Sequence, residues 1–386
     1  MSNWPTKKLG EVCDIYQSQT ITSNEILKEG PFKVFGANGV IGYYSKYNHE
    51  DAEVLVTCRG ATCGTINMSE PKSWITGNAM VVHPKDEKVI SKTFLFYALR
   101  HSNLLKTITG TGQPQITRNS LAPFQIPLPT LNIQKQIADV LSAYDDLIEN
   151  NTKRIKILEE IAEAIYKEWF VSPASKKWEI ATLRDVVDSY TGGGWGKEEP
   201  SGDHSDPAYV IRGTDIPKAA EGDVSTCPLR YHTPSNLRTR VLRDGDLVFE
   251  VSGGSKGQPV GRSLLITSKL LDQFKQNVIC ASFCKLIRPN QNKISPFQLY
   301  EQILSWYANG IIEKYQVQST GISNFRFESF IDEEKVTLPP EKIREKFDHL
   351  VSPLFDELYS LGNQNQNLRQ ARDLLLPRLV TGEIRV

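Results

Sequence analysis

The run LPTLNIQKQIADVL (Leu128–Leu141) returns as LPPEKIREKFDHLV (Leu338–Val351), 210 positions later. In each copy a Leu-Pro pair closes an extended segment and a regular apolar pattern follows. From Ile137 the first pattern runs through Leu141, Tyr144, Ile148, Asn151, Ile155, Leu158, Ala162 and Ile165 to Trp169, in alternating steps of four and three. Shifted by 210, the same positions are Phe347, Val351, Leu354, Leu358, Leu361, Asn365, Leu368, Arg372, Leu375 and Leu379, eight of them apolar. Sustained four-three spacing is the seam of a coiled coil, whereas a helix lying on one domain shows a wider, shorter stripe. Two such helices in one chain predict an antiparallel pair, with Asn151 and Asn365 setting its register at some cost in stability. The first seam spans roughly 48 Å at the helical rise, more than one ~34 Å turn of DNA. The second helix is less regular: Pro353 is expected to kink or restart it, Gly362 to weaken it, and Pro377 to end or bend it.

The repeat extends beyond the helices. WPTKKLGEVCDI at Trp4 aligns with WEIATLRDVVDS at Trp178, AEVLVTCRGATCG at Ala52 with GDLVFEVSGGSKG at Gly245, and TGTGQPQITRNSL at Thr109 with VQSTGISNFRFESF at Val317. The predicted order is mixed domain, helix, mixed domain, helix. FKVFGANGVIGYY (Phe32–Tyr44) holds two β-like runs around Asn38-Gly39, a hairpin signal. WITGNAMVVHP and NVICASFCKLIRP read as strands ending at proline. SKTFLFYALRHSNLLKTI and SPFQLYEQILSWYANGIIEKY carry helical periodicity. The fold class is therefore α+β: two similar domains at 1–130 and 172–338, with long helices at 131–171 and 339–386 pairing under a pseudo-two-fold.

Charge sharpens the functional question. Lys plus Arg equals Asp plus Glu, 45 each, which by itself disfavours a nucleic-acid binder. The distribution is uneven, however. No acid occurs from Lys88 to Ala138 or from Val224 to Arg243, while both stretches carry several bases; positions 131–171 are net acidic. Local phosphate contact plus an acidic surface for a protein partner would look like this, and so would ordinary surface variation; charge alone leaves both open. The six cysteines form no C-x-x-C pair, and no histidines complete a zinc pattern, so they read as reduced, buried thiols. No apolar run reaches the ~18–20 residues that span a bilayer. The N-terminal MSNWPTKKLG lacks a signal-peptide core, giving an expectation of a cytoplasmic protein without a membrane.

At this point the chain resembles the specificity subunits of type I restriction–modification enzymes. The resemblance lies in the order of parts and in FGANGVIGYY, TCRGATCGTI, GTGQPQIT, IPLPTLNIQKQIADVLSAYDDLIENN, EAIYKEWFV and the closing LLLPRLVTGEI. It implies that each mixed domain is a target recognition domain reading one half of a split, asymmetric double-stranded DNA sequence. It also implies that the helices space the two readers and dock two methyltransferase subunits, which two restriction/translocase subunits can join. S-adenosylmethionine would be bound by the methyltransferase, with no cofactor or metal in this chain. The second half departs from the first: STGISNF replaces GTGQPQI, and TGGGWGKEE (Thr191–Glu199) carries an unusual Trp195 where many relatives have an SGGTP-like turn.

Specific recognition needs phosphate contacts for register and side chains that reach base edges; Arg suits guanine, and Asn or Gln suits adenine. The first-half candidates are Asn38, Tyr44 and Lys46 near the hairpin, Arg59 in CRGATCG, and Gln113, Gln115, Thr117 and Arg118 in GQPQITR. Those of the second half are Arg212, Arg230, Arg238, Arg240, Ser255, Lys256, Gln258, Arg262, Asn324 and Arg326. The helical acids Asp145, Asp146, Glu149, Glu159, Glu160 and Glu163, with YKEWF, are candidates for docking a methyltransferase.

Catalysis is not expected in this chain. There is no N-P-P-[YF] or D-P-P-[YF] stretch to grip a flipped base. GGGWGKE fails as a P-loop, with short glycine spacing and Glu198 at the Ser/Thr position. DGDLVFEVS lacks the lysine that a metal-assisted nuclease would need after Glu250 and reads as a surface turn into a buried strand. Two other readings remain in play: a coiled-coil scaffold that binds protein and never DNA, and a fused methyltransferase–specificity enzyme, for whose donor-binding domain the chain has no room.

Overall fold

The structure, a computed structural model, describes residues 4–110, 114–171, 177–253, 258–319 and 322–386. They form two compact units: Met1–Asp146 with Arg369–Val386, and Leu147–Leu368.

Each unit is built on the same sheet plan. In the first, an antiparallel four-stranded sheet runs in the order Cys13–Gln17, Ala79–Pro84, Val54–Thr57, Ile66–Met68. In the second, the order is Val187–Gly192, Cys284–Pro289, Leu247–Glu250, Ser263–Leu265. A three-stranded sheet accompanies each: Gly39–Tyr44, Phe32–Gly36 and Trp74–Ile75, against Leu229–His232, Asp206–Ile211 and Asn277–Cys280. Its last strand is parallel to the middle one in both units. The two segments expected as single strands are thus each divided. Trp74–Ile75 and Ala79–Pro84 lie in different sheets, as do Asn277–Cys280 and Cys284–Pro289. The chain turns out of one sheet and into the other, which composition does not reveal.

The expected hairpin forms with Phe32 opposite Tyr44, and Gly39 at φ 110° takes the backbone shape that a side chain disfavours. The Leu-Pro segments prove to be closing strands: Gln125–Pro127 pairs with Thr6–Lys8, and Lys335–Leu338 with Glu179–Thr182. Each mixed domain is zipped shut by its own ends just before its long helix begins. The first helix is anchored at that point by fully buried Gln134, whose amide donates to the carbonyls of Val89 (3.0 Å) and Pro129 (2.9 Å) and accepts from Ser91 N (2.9 Å).

The long helices are Leu131–Tyr166, continued by a π-helical turn Lys167–Val171, and Glu341–Val380. They pair antiparallel, and every position of both predicted seams is buried or half-buried. In the first unit Ile137 and Leu141 share a core with Leu376, Leu379 and Val380. In the second, Ile155, Ala162 and Tyr166 share one with Val351, Leu358 and Leu361, and Phe170 meets Phe347 edge-on at 4.8 Å. Asn151 and Asn365 are both buried in the seam and reach across it, to Gln364 Oε1 (3.5 Å) and Thr152 Oγ1 (3.3 Å). The polar seam position Arg372 is buried as well; it donates to Asp145, which also accepts from Tyr97 (2.7 Å).

The expected breaks in the second helix do not occur. Pro353 lies on the exposed side, as does His349, whose carbonyl loses its donor, so water can take that bond. Pro377 sits one turn before the end, and its carbonyl accepts from Thr381 N (3.0 Å) and Oγ1 (2.8 Å). Gly362 does more than lower helix propensity. A Cβ there would stand 2.1 Å from the Glu221 carbonyl oxygen and 2.5 Å from Gly222 Cα. Ala at this position gains about 1 kcal/mol in helix propensity but must push two backbones apart, at about 1–3 kcal/mol or more. Gly362→Ala is therefore expected to be destabilising, as urea unfolding of the two proteins would show.

Candidate nucleic-acid interface

In the first unit three loops meet at the same end of the sheets. The hairpin turn brings Asn38, whose side-chain oxygen accepts from Thr62 Oγ1 (2.6 Å) and Thr57 Oγ1 (3.3 Å). The CRGATCG loop brings exposed Arg59, whose backbone bridges to that of Gln115 in the GQPQITR loop. Gly60 N to the Pro114 carbonyl (3.4 Å) and Ile116 N to the Cys58 carbonyl (2.9 Å) continue the junction. Asn38, Arg59 and Gln115 are thus gathered from three separate stretches of sequence. Thr117 has a local task, capping the short helix Arg118–Leu121 through Ser120 N (3.2 Å), and Arg118 is exposed on that helix.

Tyr44 and Lys46 are not part of this gathering. Tyr44 is at the far end of its strand from Asn38, about 20 Å away at strand rise. It bonds Glu25 (3.2 Å) and stacks edge-on with Trp74 at 5.0 Å. Gln113, Ser255 and Lys256 lie outside the described residues.

In the second unit most of the candidate arginines are held by neighbours. Arg212 makes a two-point pair with Asp215 (2.7 and 2.8 Å) and donates to the Thr226 carbonyl (2.8 Å). Arg262 makes a two-point pair with Glu250 (2.8 and 2.6 Å). Both carboxylates are buried, and among the described residues neither pairs with another cation, so each orients its guanidinium. Arg230 stacks 4.7 Å over Trp195 and pairs with Glu198 at 3.1 Å. Arg240 donates to the Gly192 carbonyl (3.0 Å), and Arg326 to that of Lys314 (2.8 Å). Asn324 accepts from Ser252 Oγ (2.9 Å) across the strand pair that joins Ser252–Gly253 to Ile322–Phe325. Arg238 is exposed on the helix Pro234–Arg240. The acids that hold these arginines, Asp215 and Glu250, lie 3 and 12 positions away in the sequence. Only the i,i+3 spacing of Arg212 and Asp215 signals one of the two pairs.

All six cysteines are free thiols and five are buried; burial pushes Cys13, Cys227 and Cys280 up to about 12. Among the described residues there is no cluster of metal-ligating side chains, and no helix is long and apolar enough to cross a membrane.

Residues 1–160 match the family model described as the type I restriction modification DNA specificity domain. The MjaIX specificity subunit of a type I restriction enzyme from Methanocaldococcus jannaschii is 30% identical over 331 residues, 78% of this chain and 71% of the relative. The chain belongs to the type I restriction–modification specificity subunits. The MjaX specificity subunit of the same organism is 24% identical over 80% of this chain and 72% of its own. The crystal structure of a type I restriction–modification S subunit from M. genitalium superposes with a TM-score of 0.64 at 16% identity, covering 98% of this chain and 96% of that one. At that identity the likeness concerns the fold: two α+β domains, each followed by a long helix, with the helices paired. As a specificity subunit, the chain is the DNA-specificity component of a restriction–modification system.

Proposed function

We propose that this specificity subunit reads a bipartite, asymmetric double-stranded DNA site, one half per mixed domain, and leaves all chemistry to its partners. The supporting observation is that the two units share one sheet plan, while the loops at equivalent positions carry different side chains. A common scaffold with unlike reading groups is what two unlike half-sites require. In the first domain, Asn38, Arg59 and Gln115 are the base-reading set and Arg118 a phosphate contact. In the second, Arg212, Arg262, Gln258 and Asn324 form the counterpart, with Arg230, Arg238 and Arg240 toward the backbone.

The paired helices dock two methyltransferase subunits, to which two restriction/translocase subunits can attach, and S-adenosylmethionine resides in the methyltransferase. In support, the helical face flanking the seam exposes Leu147, Ile157 and Ile161, three large apolar groups that a monomer would otherwise bury. Acids Asp146, Glu149, Glu160 and Glu163 surround them, whereas Asp145 is drawn into the bonds with Arg372 and Tyr97.

Methylome sequencing of cells expressing this chain with its methyltransferase would supply the recognised sequence. Gel shifts on that duplex, with and without the methyltransferase, would then separate a DNA reader from a scaffold that binds protein alone. Arg59→Ala is expected to weaken discrimination at one half-site by about 1–3 kcal/mol and leave the other unchanged. Duplexes altered in one half-site at a time check it, and equal losses on both would remove Arg59 from the reading set.

A further inference from the structure

The second domain contains a cavity of about 670 Å³, in the size range of small-molecule sites. Trp195 and Phe283 line it, 41% and 60% exposed, among the most exposed aromatic rings of the described chain. Arg212 and Arg262 line it too, and among the described residues Nη1 of each guanidinium makes no hydrogen bond. The buried Glu250 carboxylate lies against Gly213 and Gly253, where a Cβ would come within 2.3 and 3.2 Å of its oxygen. Two glycines therefore open the floor, a buried acid orients one donor, and two large rings stand at the walls.

Base edges in a stacked duplex are read by side chains that project into a groove. A recess does the opposite: it withdraws its donors from the duplex surface, and a base reaches them only by leaving the stack. Aromatic walls suit that occupant because every base has a π-face, and orphan guanidinium donors suit the oxygen and nitrogen acceptors on its edge. The first domain has no equivalent equipment. Sheet register places Gly36, Thr57 and Asn78 at the positions of Arg212, Glu250 and Phe283. Thr57 spends its hydroxyl on the hairpin, bonding the Ala37 carbonyl and Asn38.

We infer that this cavity receives a nucleobase swung out of the bound duplex, within the half-site read by the second domain. The inference rests on the DNA-reading function above. It adds to it a capture site for an extrahelical base, separate from any base flipped into a methyltransferase.

Removing the pairing partner of an extruded base removes part of the cost of extrusion, so a mismatch there tightens binding. The test uses the complex of this chain with its methyltransferase and the recognised duplex, mismatched in turn at each position by changing one strand and then the other. One position in a single half-site, other than the base that the methyltransferase modifies, is expected to bind about 10-fold tighter or more when mismatched. Trp195→Ala with Phe283→Ala should abolish that gain and weaken the matched duplex by about 5- to 100-fold, while the gain at the base that the methyltransferase modifies persists. Both rings are exposed, so folding is not at stake, and Phe283→Ser alone gives an independent variant. The proposal is overturned if no such position exists while the matched duplex binds normally, or if the gain survives in both variants. Saturable quenching of Trp195 fluorescence by adenosine or guanosine monophosphate, without any mismatch gain, would reassign the cavity to free nucleotides and overturn it as well. Loss of all sequence preference in the unaltered complex would instead bring down the DNA-reading function, and this inference with it.

Discussion

Arg288→Met is expected to destabilise the second unit by about 3–5 kcal/mol. Asp246 is 1% exposed and accepts from Arg288 Nε (2.8 Å) and Nη2 (2.7 Å), with Arg243 N as a third donor (2.7 Å). Taking away the guanidinium leaves a carboxylate in a low-dielectric interior with one backbone donor, and water cannot reach it to compensate. The cost is that of the stranded charge, which exceeds the net worth of the pair. The double change Arg288→Met with Asp246→Asn should recover more than half of the loss, because the remaining group is neutral and still accepts from Arg243 N. Urea unfolding monitored by circular dichroism measures all three. A midpoint for Arg288→Met equal to that of the unaltered protein would mean that Asp246 needs no cation.

Glu301→Gln should act in the other direction, and only at high pH. Glu301 is 3% exposed on the helix Pro296–Ala308, and among the described residues nothing bonds its carboxyl. It faces Glu163, Glu159 and Lys167 of the first long helix. Burial, reinforced by the two acids and opposed by the lysine, pushes it up to about 8. Because the folded value lies above the unfolded one, the stabilising contribution is complete below about pH 4.5 and declines as pH rises toward 8, then stays lost. The ceiling of that decline is about 5 kcal/mol, at about 1.4 kcal/mol per pH unit. The glutamine variant is expected to match the unaltered protein near pH 5 and to exceed it by a few kcal/mol above pH 8. Some slope should remain in the variant, since Glu159, desolvated and beside Glu221 and Glu160, is pushed up to about 7. Parallel stability curves for the two proteins from pH 5 to 9 would show that Glu301 is ionised throughout.

The two effects show how differently buried charges are treated within one unit. Asp246, Glu250 and Asp215 each have an arginine at two-point distance. Glu301 has no such partner and keeps its proton instead. Of the four, only Asp215 carries a local sign of its partner, the i,i+3 spacing to Arg212.

What the sequence could disclose followed from local periodicity. The heptad steps from Ile137 to Trp169 and from Phe347 to Leu379 foretold two long helices meeting along one seam, because helical geometry repeats every few residues regardless of what lies elsewhere. Asn151 and Asn365 were legible for the same reason, as polar interruptions of an apolar register. The Asn38-Gly39 turn was legible because its backbone requirement falls on the turn residues themselves. Proline was over-read: Pro353 and Pro377 weaken a helix in isolation, but packing along a long seam and an exposed, water-accessible carbonyl outweigh the missing bond. Gly362 costs helix propensity as its residue type dictates, but its use, the close approach of the loop at Gly222, is legible only in the fold.

The doubled plan, the helical seam and the family are written in short-range patterns and in their recurrence at 210 positions. The folded chain alone holds the rest. It set where one strand leaves a sheet and the next joins another. It set which arginines are held by buried acids and which side chains from distant loops stand at one surface. Those outcomes depend on contacts between residues tens to hundreds of positions apart, whose energies no local spacing records.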